Sequence, residues 1–401
     1  METKWIKNGG VTSARGFVAS GVAAGIKSDS KKDMALVVSE CPAAVAATFT
    51  TNQVKAAPVK LSMEHVKRGK VRSVIFNSGN ANACTGVRGI KDAKASSAET
   101  AKRLGCRRQE VLVCSTGRIG IPLPMPKITK GIGKLVKKLS HQGGRVAAKA
   151  IMTTDTYAKE CAVKIMIDGR EVVIGGMAKG AGMIHPNMAT MLCCVTTDAA
   201  VELKALRHAL ADAVEQSFNR ISVDGDTSTN DTVILLSNGM AMAEPIGRTH
   251  PEFSKFQEAL NKVLSALARL IIEDGEGITK VVELAVQGAN NDADARKAAE
   301  AIARSPLVKC SWCGNDPNWG RLMDVLGYSG VKLREELVDI YYNGLLAVKG
   351  GLAAATPRAR LKKVASKPSF ALYIDLHLGK GSYWLLVNDL TEEYVSLNKG
   401  E

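Results

Sequence analysis

Aromatic side chains are scarce in this sequence: Phe, Trp and Tyr together make up 4% of its 401 residues. Ala, Val, Leu and Ile therefore have to build the core. No apolar run reaches the roughly 18 residues that a membrane-spanning helix requires. The first ten residues, METKWIKNGG, contain no apolar stretch of the kind a secretory leader needs, so a cytoplasmic protein is expected. Regular cysteine pairing is also lacking. The nine cysteines are odd in number and irregularly spaced, which predicts reduced thiols. Cys310 and Cys313 form a single CxxC pair with no second pair and no nearby histidine, so no metal site is expected.

The charge balance lacks a matching acidic half: 54 Lys and Arg against 39 Asp and Glu leave a formal net charge of +15. Nucleic-acid binding would require that charge to cluster on one surface. Here it is scattered, and the densest run, KITKGIGKLVKK at 127–138, reads as a solvated helix face. Neither a nucleic-acid nor a membrane partner is expected, although a positive field helps gather small anions. What is present in quantity, 46% hydrophobic and 23% charged residues, is ordinary globular composition. A chain of this length predicts two or three structural units.

Helical and extended patterns alternate along the chain, which predicts a mixed α/β fold. Strands are expected at 35–38, 71–76, 111–114, 163–167, 172–175, 190–196, 233–236 and 281–286. Asp168-Gly169 is the strongest short hairpin signal. Amphipathic helices are expected where Leu203, Leu206, Leu210, Val214 and Phe218 recur at spacings of three and four, and again at 253–271. Further helices are expected at 92–104, ended by Gly105, and at 292–304. The polar segment 77–83 (NSGNANA) reads as a tight loop, and 118–145 as basic and loop-rich. Near the end, Phe370, Leu372, Ile374, Leu376 and Leu378 alternate, Gly379-Lys380-Gly381 turns, and 383–387 returns. A domain boundary is expected near 275–285.

The segment that suggests chemistry is 179–192, KGAGMIHPNMATML. Gly180 and Gly182 permit close backbone approach, and Pro186 stiffens the path. A strained turn here would let the Thr190 hydroxyl attack the Ala189 carbonyl and shift the acyl group from nitrogen to oxygen. Hydrolysis of that ester would free the α-amine of Thr190. A threonine hydroxyl needs a nearby base, and an α-amine with a pKa of about 7.7–8.0 is one. Thr116-Gly117 at a strand end has the donors of an oxyanion hole, although an ordinary strand-to-loop turn has the same composition. Three more segments, 153–160, 222–232 and 271–280, combine hydroxyls, carboxylates and glycines that could bind a polar substrate, although clusters like 224–232 are usually turns and helix caps. Asp224 and Asp226 do not fit a calcium loop. His185 reads as a hydrogen-bonded structural residue.

With these motifs in view, the chain resembles the ornithine acetyltransferase family, also called the glutamate N-acetyltransferases. The resemblance rests on KGAGMIHPNMATML together with GGVTSARGFVASGVAAGIK, TFTTNQVKAAPV, NSGNANACTG, STGRIG, TTDT, SVDGDTSTNDT, DGEGITK and GNDPNWGRLM, in that family's order. It implies a mixed α/β sandwich of the self-processing, N-terminal-nucleophile-like kind with a smaller C-terminal α/β domain. Cleavage between Ala189 and Thr190 would give an α chain, 1–189, and a β chain, 190–401, assembling as two of each. The implied reaction moves an acetyl group from N-acetylornithine to glutamate in arginine biosynthesis, with acetyl-CoA as a further acetyl donor and no bound cofactor.

Carried over by residue, Thr190 is the nucleophile, Thr116 and Gly117 form the oxyanion hole, and Thr156, Lys179, Glu276 and Asn398 contact substrate. Two departures stand out. Arg118 occupies a slot where a small apolar residue is commoner. The family's usual ending, Asn, four intervening residues and then Ser or Thr, is replaced by LNKGE. A related self-cleaving amidase or aminopeptidase, with water as acceptor, is the competing reading.

Overall fold

Asp168 and Gly169 both adopt left-handed backbone, with φ of 48° and 72°. They join the strands Lys159–Ile167 and Arg170–Lys179, which pair antiparallel from Ile167–Arg170 outward to Lys159–Ala178. A two-residue turn with both φ positive matches the natural twist of its flanking strands. The computed structural model that contains this hairpin describes residues 3–27, 30–185, 191–242 and 244–399. The chain divides into two units. One comprises Met1–Gly180, Asn187–Asn219 and Thr227–Ile271, the other Ala181–Pro186, Arg220–Asp226 and Ile272–Glu401.

The first unit is built on a mixed sheet, with nine strands among the described residues. Its spine is the 16-residue strand Met34–Phe49. The first half of the spine pairs antiparallel with Phe17–Val22 and with Lys70–Asn80. Along one edge of the spine Phe17–Val22 gives way beyond Ser39 to Thr232–Ser237, which pairs with Ala44 to Phe49, while Lys70–Asn80 lines the other edge and shifts register between Val38 and Ala43. Side chains alternate across the spine. Leu36 and Val38 pack with Ile128, Ile132 and Leu135 on one side. Ala35 and Val37 pack with Ala147, Ala148 and Ile151 on the other. Burial on both faces is the reason the run Ala35-Leu36-Val37-Val38 is continuously apolar.

The second unit centres on another mixed sheet, with seven strands among the described residues. Val282, Leu284, Val286, Leu372, Ile374, Leu385 and Val387 share a core with Ala295, Ala298, Ala299 and Ile302 of the helix Asp292–Arg304. That helix starts where its sequence pattern begins, because the Asn291 side chain accepts from the Asp294 N–H, a cap contributing about 1 kcal/mol.

Three expectations need correction. The 118–145 stretch contains the helix Met125–Lys137. Ile128, Ile132 and Leu135 form its buried face while Lys127, Lys130, Lys134 and Lys137 point to solvent, so the helical spacing was present beneath the basic residues. The 77–83 loop begins later than expected, since the strand Lys70–Asn80 runs through Asn77 and Ser78. It does so because Val111–Arg118 continues beside it in parallel register, Ser115 opposite Asn77. The expected C-terminal hairpin is not one. Strand Val281–Ala289 lies between Ser369–Asp375, which it pairs with in parallel, and Gly381–Asn388, which it pairs with antiparallel. The connection crosses the end of that central strand, where the Leu378 and Gly379 N–H groups donate to the Gly288 carbonyl. Alternation reports which face of a strand is buried, and it does not report which strand lies alongside.

All nine cysteines are free thiols. No described helix is long and apolar enough to cross a membrane, and the described residues contain no group of three His, Cys, Asp or Glu able to hold a metal ion.

Candidate active site

The residues expected to act together fall in both units. Ala189 and Thr190, the expected cleavage site and nucleophile, lie outside the described residues.

In the first unit, strand Val111–Arg118 carries Thr116 and Gly117 at its end. Gly117 has φ of 130°, and a Cβ there would stand 2.3 Å from the Gly79 carbonyl carbon and 2.4 Å from the Asn80 nitrogen. Glycine is therefore required by the neighbouring backbone as well as by its own conformation. Thr116 is buried. Lys179, the last residue of Arg170–Lys179, is also buried, and its ammonium donates to the Thr116 hydroxyl at 3.4 Å. Two strands thus bring an oxyanion-hole candidate and a substrate-binding candidate into contact.

Thr156 sits exposed on a bend beside Asp155. The Asp155 carboxylate ties this bend to the strand of Lys179. Its Oδ1 accepts from the Lys159 ammonium at 2.6 Å and from the Gly180 N–H at 2.8 Å, and its Oδ2 accepts from the Thr153 N–H at 2.9 Å. Asp155 and Lys159 side chains are both fully buried. Burial alone would push the Asp155 carboxyl up, but the charges of Lys179 and Lys159 and these hydrogen bonds hold it down at about 2. It is thus a carboxylate at any physiological pH.

The segment 222–232 contributes Asn230 and Asp231. The Asn230 amide donates to the carbonyls of Ser115 (2.9 Å) and Ala81 (2.7 Å), which anchors the strand just before Thr116. Asp231 Oδ1 accepts from the Met191 N–H at 2.9 Å. Sequence reasoning grouped Asn230 and Asp231 with turn and cap residues, and it did not single out Asp155. The signal available for all three was their place in polar segments beside apolar strands.

In the second unit, Glu276 lies in the loop after the helix Phe253–Ile272. Its N–H donates to the Ala181 carbonyl at 3.0 Å. Its carboxylate rests against Gly182, where a Cβ would stand 2.5 Å from the carboxyl carbon. Asn398 ends the short helix Glu392–Asn398, and its amide donates to Glu276 Oε2 at 2.9 Å. The Thr391 hydroxyl bonds the Gly277 carbonyl at 2.6 Å and also caps that helix through the Tyr394 N–H. Glu276 and Asn398 are therefore neighbours although they lie 122 positions apart in the sequence.

Asp224 holds the loop before the expected cleavage site, accepting from the Met183 N–H (2.6 Å), the Ile184 N–H (3.0 Å) and the Tyr394 hydroxyl (3.2 Å). A carboxylate so occupied is a loop anchor, as the failed calcium pattern implied. His185 is structural. Its Nδ1 bonds Ser222 Oγ at 2.9 Å, and its Nε2 accepts from Arg304 Nε at 3.1 Å. Burial, then the charges of Arg304, Arg296 and Lys309, lower its pKa to about 3. The ring is neutral, with its proton on Nδ1.

One mixed α/β unit thus carries a buried lysine on a strand-end threonine, and the other carries a glutamate paired with an asparagine. The ArgJ family model matches residues 18–400. The arginine biosynthesis bifunctional protein ArgJ of Caldanaerobacter subterraneus subsp. tengcongensis is 47% identical over 397 residues, 98% of each chain. That of Geobacter sulfurreducens is 47% identical over 385 residues, 96% of this chain and 98% of the relative. A solved structure of ornithine acetyltransferase complexed with ornithine, from Mycobacterium tuberculosis, matches at 44% identity and a TM-score of 0.44, covering 46% of this chain and 98% of that one. The chain belongs to the ArgJ family and is an enzyme of arginine biosynthesis.

Proposed function

We propose that this enzyme moves an acetyl group from N-acetylornithine to glutamate through an acetyl ester on Thr190. The observation that carries the reading is the 47% identity to a bifunctional ArgJ protein along 98% of the chain. The contact between Lys179 and Thr116 supports it, because it joins two residues with separate roles in one reaction.

In this reading the chain first cleaves itself between Ala189 and Thr190, giving chains 1–189 and 190–401 that assemble as two of each in the cytoplasm. The freed α-amine takes the proton of the Thr190 hydroxyl as that oxygen attacks the acetyl carbonyl carbon of N-acetylornithine. Negative charge on the carbonyl oxygen is met by the Thr116 hydroxyl and the Gly117 N–H. The C–N bond breaks, and ornithine leaves with the proton. The amine of glutamate then attacks the ester and regenerates Thr190. Lys179 suits a substrate carboxylate as a compact ammonium, Glu276 suits the cationic amino group, and Thr156 and Asn398 complete the contacts. Acetyl-CoA serves as a second acetyl donor, and no cofactor is held.

Mass spectrometry of the purified protein, with and without N-acetylornithine, tests this. A 190–401 fragment that gains one acetyl group is the expected result, and Thr190→Ala should remain one chain without transfer. Steady release of ornithine in the absence of glutamate would point instead to a hydrolase.

A further inference from the structure

Strand Val111–Arg118 lies at an edge of the first unit's sheet, and its strand neighbour among the described residues is Lys70–Asn80. An edge strand leaves a row of N–H and C=O groups outside the ladder, on every second residue. Here side chains satisfy that row. The Val111 carbonyl accepts from His65 Nδ1 at 2.8 Å and from the Ser97 hydroxyl at 3.4 Å. The Ser62 hydroxyl accepts from the Val113 N–H at 2.9 Å and donates to the Val113 carbonyl at 2.8 Å. The Ser115 carbonyl accepts from the Asn230 amide at 2.9 Å. Gly117 is the next residue in the series 111, 113, 115.

Asn230 does more at this edge than a hydroxyl does at Val113. It is buried, and its amide nitrogen donates to two carbonyls, those of Ser115 (2.9 Å) and Ala81 (2.7 Å). Carbonyls only accept, so these two partners settle which end of the amide is nitrogen. Its Oδ1 accepts from the Thr229 hydroxyl at 2.6 Å. The two carbonyls lie on either side of Thr116-Gly117. The Ser115 carbonyl belongs to the same planar peptide group as the Thr116 N–H. The Ala81 N–H donates to the carbonyl of Arg118, the residue after Gly117, at 2.9 Å. One side chain therefore brackets the two residues, directly before them and through Ala81 after them. The Ser115 hydroxyl is held separately, donating to Asn77 Oδ1 at 2.6 Å across the ladder.

We propose that Asn230 is a positioning residue for the oxyanion hole: by clamping the Ser115 and Ala81 carbonyls it fixes the backbone on both sides of Thr116-Gly117, and so sets where the Thr116 hydroxyl and the Gly117 N–H point. The inference rests on the reading of Thr116 and Gly117 given above. A planar amide has two N–H groups in a fixed fork, so it holds two carbonyls at a set separation, which a single hydroxyl cannot do. Oxyanion donors act by being aimed before the reaction at the place where charge develops. A strand end free to rotate would lose that aim while keeping its residues.

The test is Asn230→Ala, with kcat and KM for acetyl transfer from N-acetylornithine to glutamate measured per folded molecule. The expected result is kcat lower by roughly 10- to 100-fold, as misplaced reacting groups cost, with KM within about twofold of the parent. An interaction made only in the transition state lowers kcat and kcat/KM together. A merely structural role would lower Tm and leave kcat per folded molecule unchanged, and that outcome overturns the proposal. A raised KM with parent kcat also overturns it. If Asn230→Ala does not fold or is not processed, Thr229→Val decides. It keeps the side-chain shape and removes the hydrogen bond that orients the Asn230 amide. Its kcat should fall about 2- to 10-fold, the usual effect of one hydrogen bond, and a parent kcat overturns the proposal. Thr116→Ala separates the two levels. If it is impaired while Asn230→Ala is not, this inference alone fails. If it keeps the parent kcat, the oxyanion-hole reading fails and takes this inference with it.

Discussion

The ammonium of Lys179 donates to the hydroxyl of Thr116 at 3.4 Å, and both residues are buried at the ends of different strands. The contact fixes the direction of the hydroxyl that, in the proposed reaction, would stabilise an oxyanion. Lys179→Met should lower kcat/KM by at least about 100-fold, the usual loss when one preorganised donor is removed.

The same substitution should change acid stability. Lys179 is the charge that contributes most to keeping Asp155 near 2. A carboxyl depressed below its unfolded value of about 3.9 stabilises the fold above that value, and the contribution is lost as pH falls toward 2. Lys179→Met should therefore unfold at higher pH than the parent. Denaturant midpoints at pH 2.5, 4 and 6 would check this, and an unchanged profile would count against the electrostatic account.

Asp155→Asn should be more damaging than its size suggests. It would leave the fully buried ammonium of Lys159 facing a neutral amide. Removing one partner of a buried ion pair costs about 3–5 kcal/mol. Calorimetry should show a large drop in Tm, and Asp155→Asn combined with Lys159→Met should recover part of it.

Gly117→Ala should fail for steric reasons. The new methyl would meet the Gly79 and Asn80 backbone at 2.3–2.4 Å while the residue is held at φ of 130°. Strained backbone of this kind costs about 1–3 kcal/mol before any clash is counted. Loss of activity with a lowered Tm is expected, and an active, fully stable Gly117→Ala enzyme would contradict the placement of this strand end.

His185 predicts an acid limb of its own. Its folded pKa of about 3 lies below the unfolded value of about 6.5. Between those values the unfolded chain binds a proton that the folded chain refuses, so stability falls as pH drops through this window. A shift of this size corresponds to roughly 5 kcal/mol at the acid end. His185→Gln, which retains a donor and an acceptor, should flatten the stability profile between pH 6 and 4.

The parts of the fold legible in the sequence were those with local causes. Asp168-Gly169 marked its hairpin because the turn demands two positive φ values. The helix Asp292–Arg304 began and ended where its alanine and leucine-type spacing did. The Met125–Lys137 helix showed in part, as the solvated basic face of 127–138, while the stretch around it read as loop-rich because Gly131 and Gly133 lower helical propensity. Asp231 and Asn230 read as turn residues because nothing in 222–232 reveals that their side chains reach positions 115 and 191.

By itself, then, the amino-acid sequence determined the mixed α/β character, the positions of most strands and helices, and, through its resemblance to a known family, membership of that family; the site residues it names are expectations. These follow from backbone preference and side-chain periodicity, which act over a few positions along the chain. Only the tertiary structure decided that strand Val281–Ala289 separates the two C-terminal strands, that Lys179 meets Thr116, and that Asn398 meets Glu276. Those outcomes depend on strand order and register, which are set by burying whole faces of a sheet against their helices, and no local pattern encodes them.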